Sequence, residues 1–206
     1  MDDLHWLGHD GFMITGEKTV YIDPHDVGEG RPKADVILIT HEHYDHCSVR
    51  DIMSIAAEGT DLLITPDCQS KVTDFPGRVT LVEPDREYAV KGIVVRTVRA
   101  YNKDKKFHPK ENDWVGYIVE MNGKRYYHAG DTDFIPEMEQ IRNIDVAMLP
   151  VSGTYVMTPE EAAEAARAIR PKVAVPMHWG SLIATKDDAE RFMQAYGGKT
   201  LIMETE

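Results

Sequence analysis

A chain of 206 residues, 42% apolar and 28% charged, is long enough to bury a core without disulfides and short enough for one domain. Its formal net charge of -12 disfavours binding by broad phosphate neutralisation, so nucleic acid and anionic membrane surfaces are not expected partners. No apolar run approaches the roughly 20 residues that span a bilayer, Met1-Asp2-Asp3 lacks the basic start of a secretory signal, and the two cysteines, Cys47 and Cys68, fit a reducing cytoplasm.

In chain order, strands are predicted at 4–7, 11–14 and 19–22, forming one edge of a sheet, with turns at Gly8-His9-Asp10 and Gly16-Glu17. His9, Asp23 and His25 fall at strand ends, where side chains either satisfy nearby backbone or line a pocket. Residues 28–32 are a flexible lead into an apolar strand at 35–40, which runs into Thr40-His41-Glu42-His43-Tyr44-Asp45-His46. Ser48 and Asp51 then mark the cap of a helix carrying Ile52, Ile55 and Ala56. Strands at 61–65 and 79–82 flank a short helix at 66–72, and strands at 88–90 and 93–98 pair around Lys91-Gly92.

Residues 100–113 break this rhythm with a polar loop holding Lys103, Lys105, Lys106, His108 and Lys110. Loops of this length serve as lids or substrate contacts, and a solvated charge run is the plainer reading. A strand at 114–121 turns at Asn122-Gly123 and returns at 125–128. Gly130-Asp131-Thr132-Asp133 precedes a helical piece at 136–141 and an apolar strand at 145–149. Thr158-Pro159-Glu160-Glu161 combines a cap, a proline at the first helical position and a glutamate three residues on, which predicts a helix through Ile169. A strand at 172–176 delivers Met177-His178-Trp179-Gly180, and a helix at 187–196 stops at Gly197-Gly198 before a last strand at 200–203. This order describes a single α+β domain over 1–206, with two mixed sheets and helices outside.

Three histidines and an aspartate lie within the six residues 41–46. Neutral imidazole with carboxylate suits a borderline divalent ion such as Zn²⁺. Residues two apart on an extended chain share a side, so His41 and His43 can grip one ion, whereas Asp45 and His46 converge only if the chain turns there. Asp131 and His178 each follow the end of an apolar strand, where a sheet presents rigid ligands. Asp23 is expected to hold the second ring nitrogen of a metal-bound histidine. Cys47 is expected to pack as a small residue beneath the site.

His41, His43, Asp45 and His46 reproduce a His-x-His-x-Asp-His signature, and with Gly130-Asp131 and Met177-His178 the sequence resembles the metallo-β-lactamase superfamily. The resemblance implies a four-layer αββα sandwich with one or two divalent ions, zinc first and Mn²⁺ or Fe²⁺ as alternatives. It assigns His41 and His43 to a first ion, Asp45, His46 and His178 to a second, and Asp131 to both. The third histidine usual for the first ion falls at Asn102, a poor zinc ligand. His108 swinging in from the loop, His128, or a weakly held ion are the alternatives, and His108 is preferred because His128 sits close to Asp131 and suits a supporting hydrogen bond.

The implied activity is hydrolysis, with a metal-bound hydroxide attacking a small lactone, thioester or phosphodiester and Asp45 and Asp131 as catalytic carboxylates. The resemblance is nearest to small enzymes similar to ascorbate-phosphate lactonase and N-acyl phosphatidylethanolamine phospholipase D. Loop lysines 103, 105, 106 and 110 are candidates for recruiting a substrate anion. A metal-binding protein without turnover and a di-iron oxidoreductase are the rival readings. The latter typically carries glutamate at the second histidine and a flavin domain, neither of which appears. A ribonuclease of the same superfamily does not suit the acidic charge. The expected partner is a small molecule, with a homo-oligomer left open.

Overall fold

The computed structural model describes residues 2–206. The first sheet contains, in sequence order, β1 (Leu4–Gly8), β2 (Gly11–Ile14), β3 (Val20–Ile22), β4 (Val36–Leu38), β5 (Asp61–Ile64) and β6 (Arg78–Leu81). β1 to β3 pair antiparallel and β3 to β6 parallel. The second sheet runs from β7 (Glu87–Val90) through β8 (Ile93–Arg99), β9 (Val115–Met121), β10 (Lys124–His128) and β11 (Val146–Pro150) to β12 (Val173–Met177). Its pairs are antiparallel up to β10 and parallel from there. Among the described residues, three α-helices complete the fold: α1 (Val49–Ile55), α2 (Pro159–Ile169) and α3 (Lys186–Tyr196).

The period of two along each strand divides the apolar residues between separate layers. In β4 and the residue after it, Val36 and Leu38 join the core between the sheets, while Ile37 and Ile39 face the opposite way. There they meet Ile52 and Ile55 of α1 and Cys68 of the 3₁₀ helix Pro66–Lys71. β2 repeats the division with Phe12 and Ile14 against Met13, and β3 with Val20 and Ile22 against Tyr21. A strand buried on both faces has no polar side, which is why 36–39 reads as an unbroken apolar run. On the other flank, α2 turns Ala162, Ala163, Ala165, Ala166 and Ile169 inward against the second sheet, so the four layers are helix, sheet, sheet, helix. Among the described residues no helix is long and apolar enough to cross a membrane.

The caps act where the sequence places them. The Ser48 hydroxyl accepts from Asp51 N at the start of α1, and Thr158 and Glu161 form a reciprocal capping box on α2. Two expectations require correction. Residues 200–203 form no strand: only Thr200 bridges to Ala174, after which the tail leaves the sheet and Glu206 N donates to Trp6 O. The strand expected at 35–40 is regular only over Val36–Leu38: Ile39 N still donates to Leu63 O, but Thr40 N turns to the Asp23 carboxylate instead of to a neighbouring strand.

Gly116 lies in β9 against the end of β10, and a Cβ there would stand 2.6 Å from both the His128 and Ala129 carbonyl oxygens. That contact is backbone and cannot rotate away. Gly116→Ala is expected to cost about 1–3 kcal/mol in urea unfolding, whereas Gly59→Ala, with open space around it, should stay within about 0.5 kcal/mol.

Candidate metal centre

The chemistry-bearing side chains all follow strand ends. β3 delivers Asp23, β4 delivers His41 through His46, β10 delivers Asp131, β11 leads to Ser152 and Tyr155, and β12 delivers His178. The β1–β2 turn adds His9 and Asp10, and the loop after β8 adds Asn102 and His108. His9, Asp23, His108 and His178 have φ of 51°, 45°, 58° and 61°. Left-handed backbone at a non-glycine residue is unfavourable and recurs at functional sites, where neighbouring structure holds it in place.

One group of potential ligand atoms comprises His41, His43, His108 and Asp131. His41 Nε2 lies 3.0 Å from His43 Nδ1, and His108 Nε2 lies 3.2 Å from His43 Nδ1 and 3.1 Å from Asp131 Oδ2. The far sides of two of these rings fix their protons. His108 Nδ1 is 3.1 Å from the Tyr155 carbonyl oxygen, an acceptor only, so Nδ1 carries the hydrogen and Nε2 presents a lone pair. His41 Nδ1 is 3.0 Å from the Thr40 hydroxyl, whose own hydrogen goes to Asp23 Oδ2 at 2.6 Å, and the same logic leaves His41 Nε2 bare. Trp114 walls this group, its ring 4.5 Å from that of His41.

The second group comprises His9, Asp10, His46 and His178. His46 Nδ1 donates to Asp23 Oδ2 at 2.8 Å, and His178 Nδ1 lies 2.9 Å from the Ser152 hydroxyl, so both Nε2 atoms face inward. Each is 3.8 Å from Asp10 Oδ2. Asp131 spans the two groups: its Oδ1 is 3.4 Å from His46, and its Oδ2 is 3.5 Å from His178. His9 Nε2 is 3.1 Å from Asp45 Oδ2, while its Nδ1 is buried without a partner. Protonating Nε2 makes that bond and leaves only an acceptor unpaired. The other tautomer would bury a bare N–H and turn a lone pair on a carboxylate. His9 therefore serves as a donor to Asp45.

These atoms fit divalent cations. Both oxygens of Asp10, Oδ1 of Asp131 and Nε2 of His46 are buried with no hydrogen-bond partner, and an orphaned charged or lone-pair atom inside a protein is costly. Nitrogen and carboxylate oxygen from His41, His43, His108 and Asp131, and from Asp10, His46 and His178 beside them, match a borderline ion. The titration tendencies agree. Burial, then the neighbouring His46, holds His41 well below the usual histidine range, and burial with His108 lowers His43, keeping both in the neutral ligand form. Burial opposes charge on His46, yet Asp131 and Asp23 outweigh it and raise that imidazole well above its ordinary value. Burial likewise opposes charge on His178, and Asp10 and Asp131 push it up to about 9. Burial disfavours ionised Asp131, but His46 and His178 hold it well below the usual carboxylate range. This pocket attracts positive charge.

The structure brings His41, His43, His46, His108, Asp131 and His178 together. Asp45 stands at the mouth of the second group, 3.9 Å from His46 Nε2 and outside both sets of four. Asp23 lies behind, joining His46 and Thr40. Asn102 sits beside His108, its amide donating to the Phe107 and Tyr155 carbonyls and its own N–H to the His108 carbonyl. His128 bonds to backbone: Nε2 donates to Asp10 O, and Nδ1 accepts from Gly130 N. His25 lies behind Tyr44, facing Asp26, and does not line the cleft. Cys47 packs beneath the site among Ile52, Ile55 and Cys68. Sequence reading missed Asp10, Trp114 and Ser152. The signal for Asp10 was a His-Asp pair held between Gly8 and Gly11 at a hairpin whose flanking strands are apolar.

Ligand groups sharing one aspartate at the strand ends of a four-layer sandwich define a metal-dependent hydrolase of the metallo-β-lactamase fold. The chain belongs to the beta-lactamase superfamily domain family, whose model matches residues 3–178. It is similar to the UPF0173 metal-dependent hydrolase of Thermococcus onnurineus, at 32% identity over 98% of this chain and 96% of the relative. Among solved structures it is similar to a candidate metal-dependent hydrolase from Parabacteroides distasonis (31% identity, TM-score 0.86, 98% and 93% of the two chains). A metallo hydrolase from Ignicoccus hospitalis matches at 25% identity with a TM-score of 0.77 over 98% and 94%.

Equilibrated with zinc and desalted, the protein is expected to hold about two ions per chain by elemental analysis, and His108→Ala about one. Asp23→Asn should weaken zinc binding by about 10–100-fold in chelator competition, since it removes the partner that orients His46.

Proposed function

We propose that residues 1–206 act as one cytoplasmic domain that hydrolyses a small ester-type molecule, a lactone, thioester or phosphodiester, with zinc as the first-choice metal. The observation that carries this reading is the pair of ligand groups joined by Asp131 at the floor of an open cleft of about 380 Å³. Divalent ions at such a site supply Lewis acidity and bring the pKa of water toward neutrality.

The chain's own residues supply the rest. Asp131 holds the two groups in register. Asp45 lines the cleft. Burial opposes its charge, but the His9 hydrogen bond and the nearby His46 keep it ionised, with its pKa well below the usual carboxylate range. An ionised carboxylate at that position accepts a hydrogen bond from the attacking water and aims its oxygen at the substrate. His9, fixed by its burial, sets the angle of Asp45. Asn102 and the Tyr155 carbonyl fix the ring of His108.

The test is turnover of p-nitrophenyl acetate, a thiolactone and bis(p-nitrophenyl) phosphate by zinc-, manganese- and iron-loaded protein. His43→Ala is expected to lose at least about 100-fold in kcat/KM while retaining its circular dichroism spectrum. Full activity in that variant would remove the proposed mechanism.

A further inference from the structure

Of the eight large hydrophobic side chains that stand exposed among the described residues, four line the one cleft above the metal centre: Tyr44 at 69%, Phe107 at 49%, Leu182 at 48% and Tyr155 at 38% exposure. They come from four separate stretches, the signature turn, the loops after β8 and β11, and the turn after β12. Phe107 and Tyr155 meet edge to face, with ring centroids 4.8 Å apart at 83°. Ile183 extends the same apolar lining. Exposed apolar surface gathered around a polar floor marks a binding site, since scattered side chains would not converge on it.

The charge around this rim is equally one-sided. No lysine or arginine lines the cleft, whose lining holds Asp45, Asp131 and four histidines. None of the four loop lysines offered as anion recruiters lines the cleft, and two of them are committed elsewhere. Lys105 is ion-paired with the buried Asp133, and Lys110 reaches Glu137 at 3.1 Å while lying over the Tyr101 ring. A phosphate-recognising site places arginine or lysine against the anion. Here an anionic substrate would meet the Asp45 carboxylate at the mouth and a net charge of -12 on approach.

We infer that the substrate is an uncharged ester or thioester bearing an apolar acyl chain, which lies against Phe107, Tyr155, Leu182 and Tyr44 with its carbonyl at the metal floor. This rests on the hydrolase reading above and narrows it away from phosphodiesters. In the reaction the oxygen of water bonds to the acyl carbon and the bond from that carbon to the leaving oxygen or sulfur breaks. The alcohol or thiol takes up a proton, and the carboxylic acid departs as its anion.

The experiment compares p-nitrophenyl octanoate, p-nitrophenyl acetate and bis(p-nitrophenyl) phosphate, which share one leaving group, on the zinc-loaded protein. In parallel, calorimetry compares octanamide with acetamide on protein with and without zinc. The octanoyl ester is expected to exceed the acetyl ester in kcat/KM by at least about tenfold, and octanamide to bind at least about tenfold tighter than acetamide, because added methylenes leave water for the rim. Phe107→Ser and Leu182→Ser should each reduce the octanoate-to-acetate ratio and the octanamide affinity by about fivefold. Equal handling of the two acyl esters, or a phosphodiester rate above both, would overturn the inference. If no substrate turns over, the hydrolase reading fails, and the amide titrations alone decide whether the apolar rim binds an acyl chain.

Discussion

Lone pairs cannot be packed against lone pairs in a protein interior without a cation between them. His43 Nδ1 lies 3.0 Å from His41 Nε2 and 3.2 Å from His108 Nε2, and the hydrogens of His41 and His108 are turned outward, to the Thr40 hydroxyl and the Tyr155 carbonyl. Across Asp131, His46 and His178 turn their Nε2 atoms inward, with their outer nitrogens held by Asp23 and Ser152. The surrounding backbone accepts four left-handed residues to keep these rings in place. The remainder of the fold can be understood as the scaffold for that arrangement.

The scaffold works by division of labour within each strand. Alternate residues of β2, β3 and β4 feed two different apolar layers, so each strand is gripped from both faces and its end cannot drift. A metal ligand at the tip of such a strand inherits the rigidity of the core. Asp23 then ties one tip to the next. It receives Thr40 N and the Thr40 hydroxyl and accepts from His46, so a single buried carboxylate lies behind a histidine of each ligand group.

How much of this was readable in the sequence depends on how local each feature is. The 41–46 signature was legible because its members are neighbours and the turn that converges them is short. The layers were legible because strands buried on both faces show apolar runs bounded by turn residues, and because helix caps act within three residues. Asp10 was not legible: its carboxylate matters only because the first hairpin folds beneath His46 and His178, which lie far along the chain. Asn102 was read as a gap in the ligand set. The structure gives it a different task, since its amide holds the carbonyls on either side of His108. The tail at 200–203 has strand composition, but it holds to the sheet only around Ala174 before Glu206 bonds to Trp6, and no pattern in the tail announces that.

Phe107 and His108 are consecutive, and they face different tasks. One backbone turn sends a phenyl ring to the rim of the cleft and an imidazole to its floor. Because Asn102 and Tyr155 clasp both residues, the ring cannot take up its place at the mouth unless the imidazole beside it is seated below. Recognition and reactivity are thereby mounted on a single hinge of chain, so that a change of loop length between Asn102 and His108 would retune both at once. A lineage that altered its substrate through this loop would be obliged to rebuild its metal site in the same step.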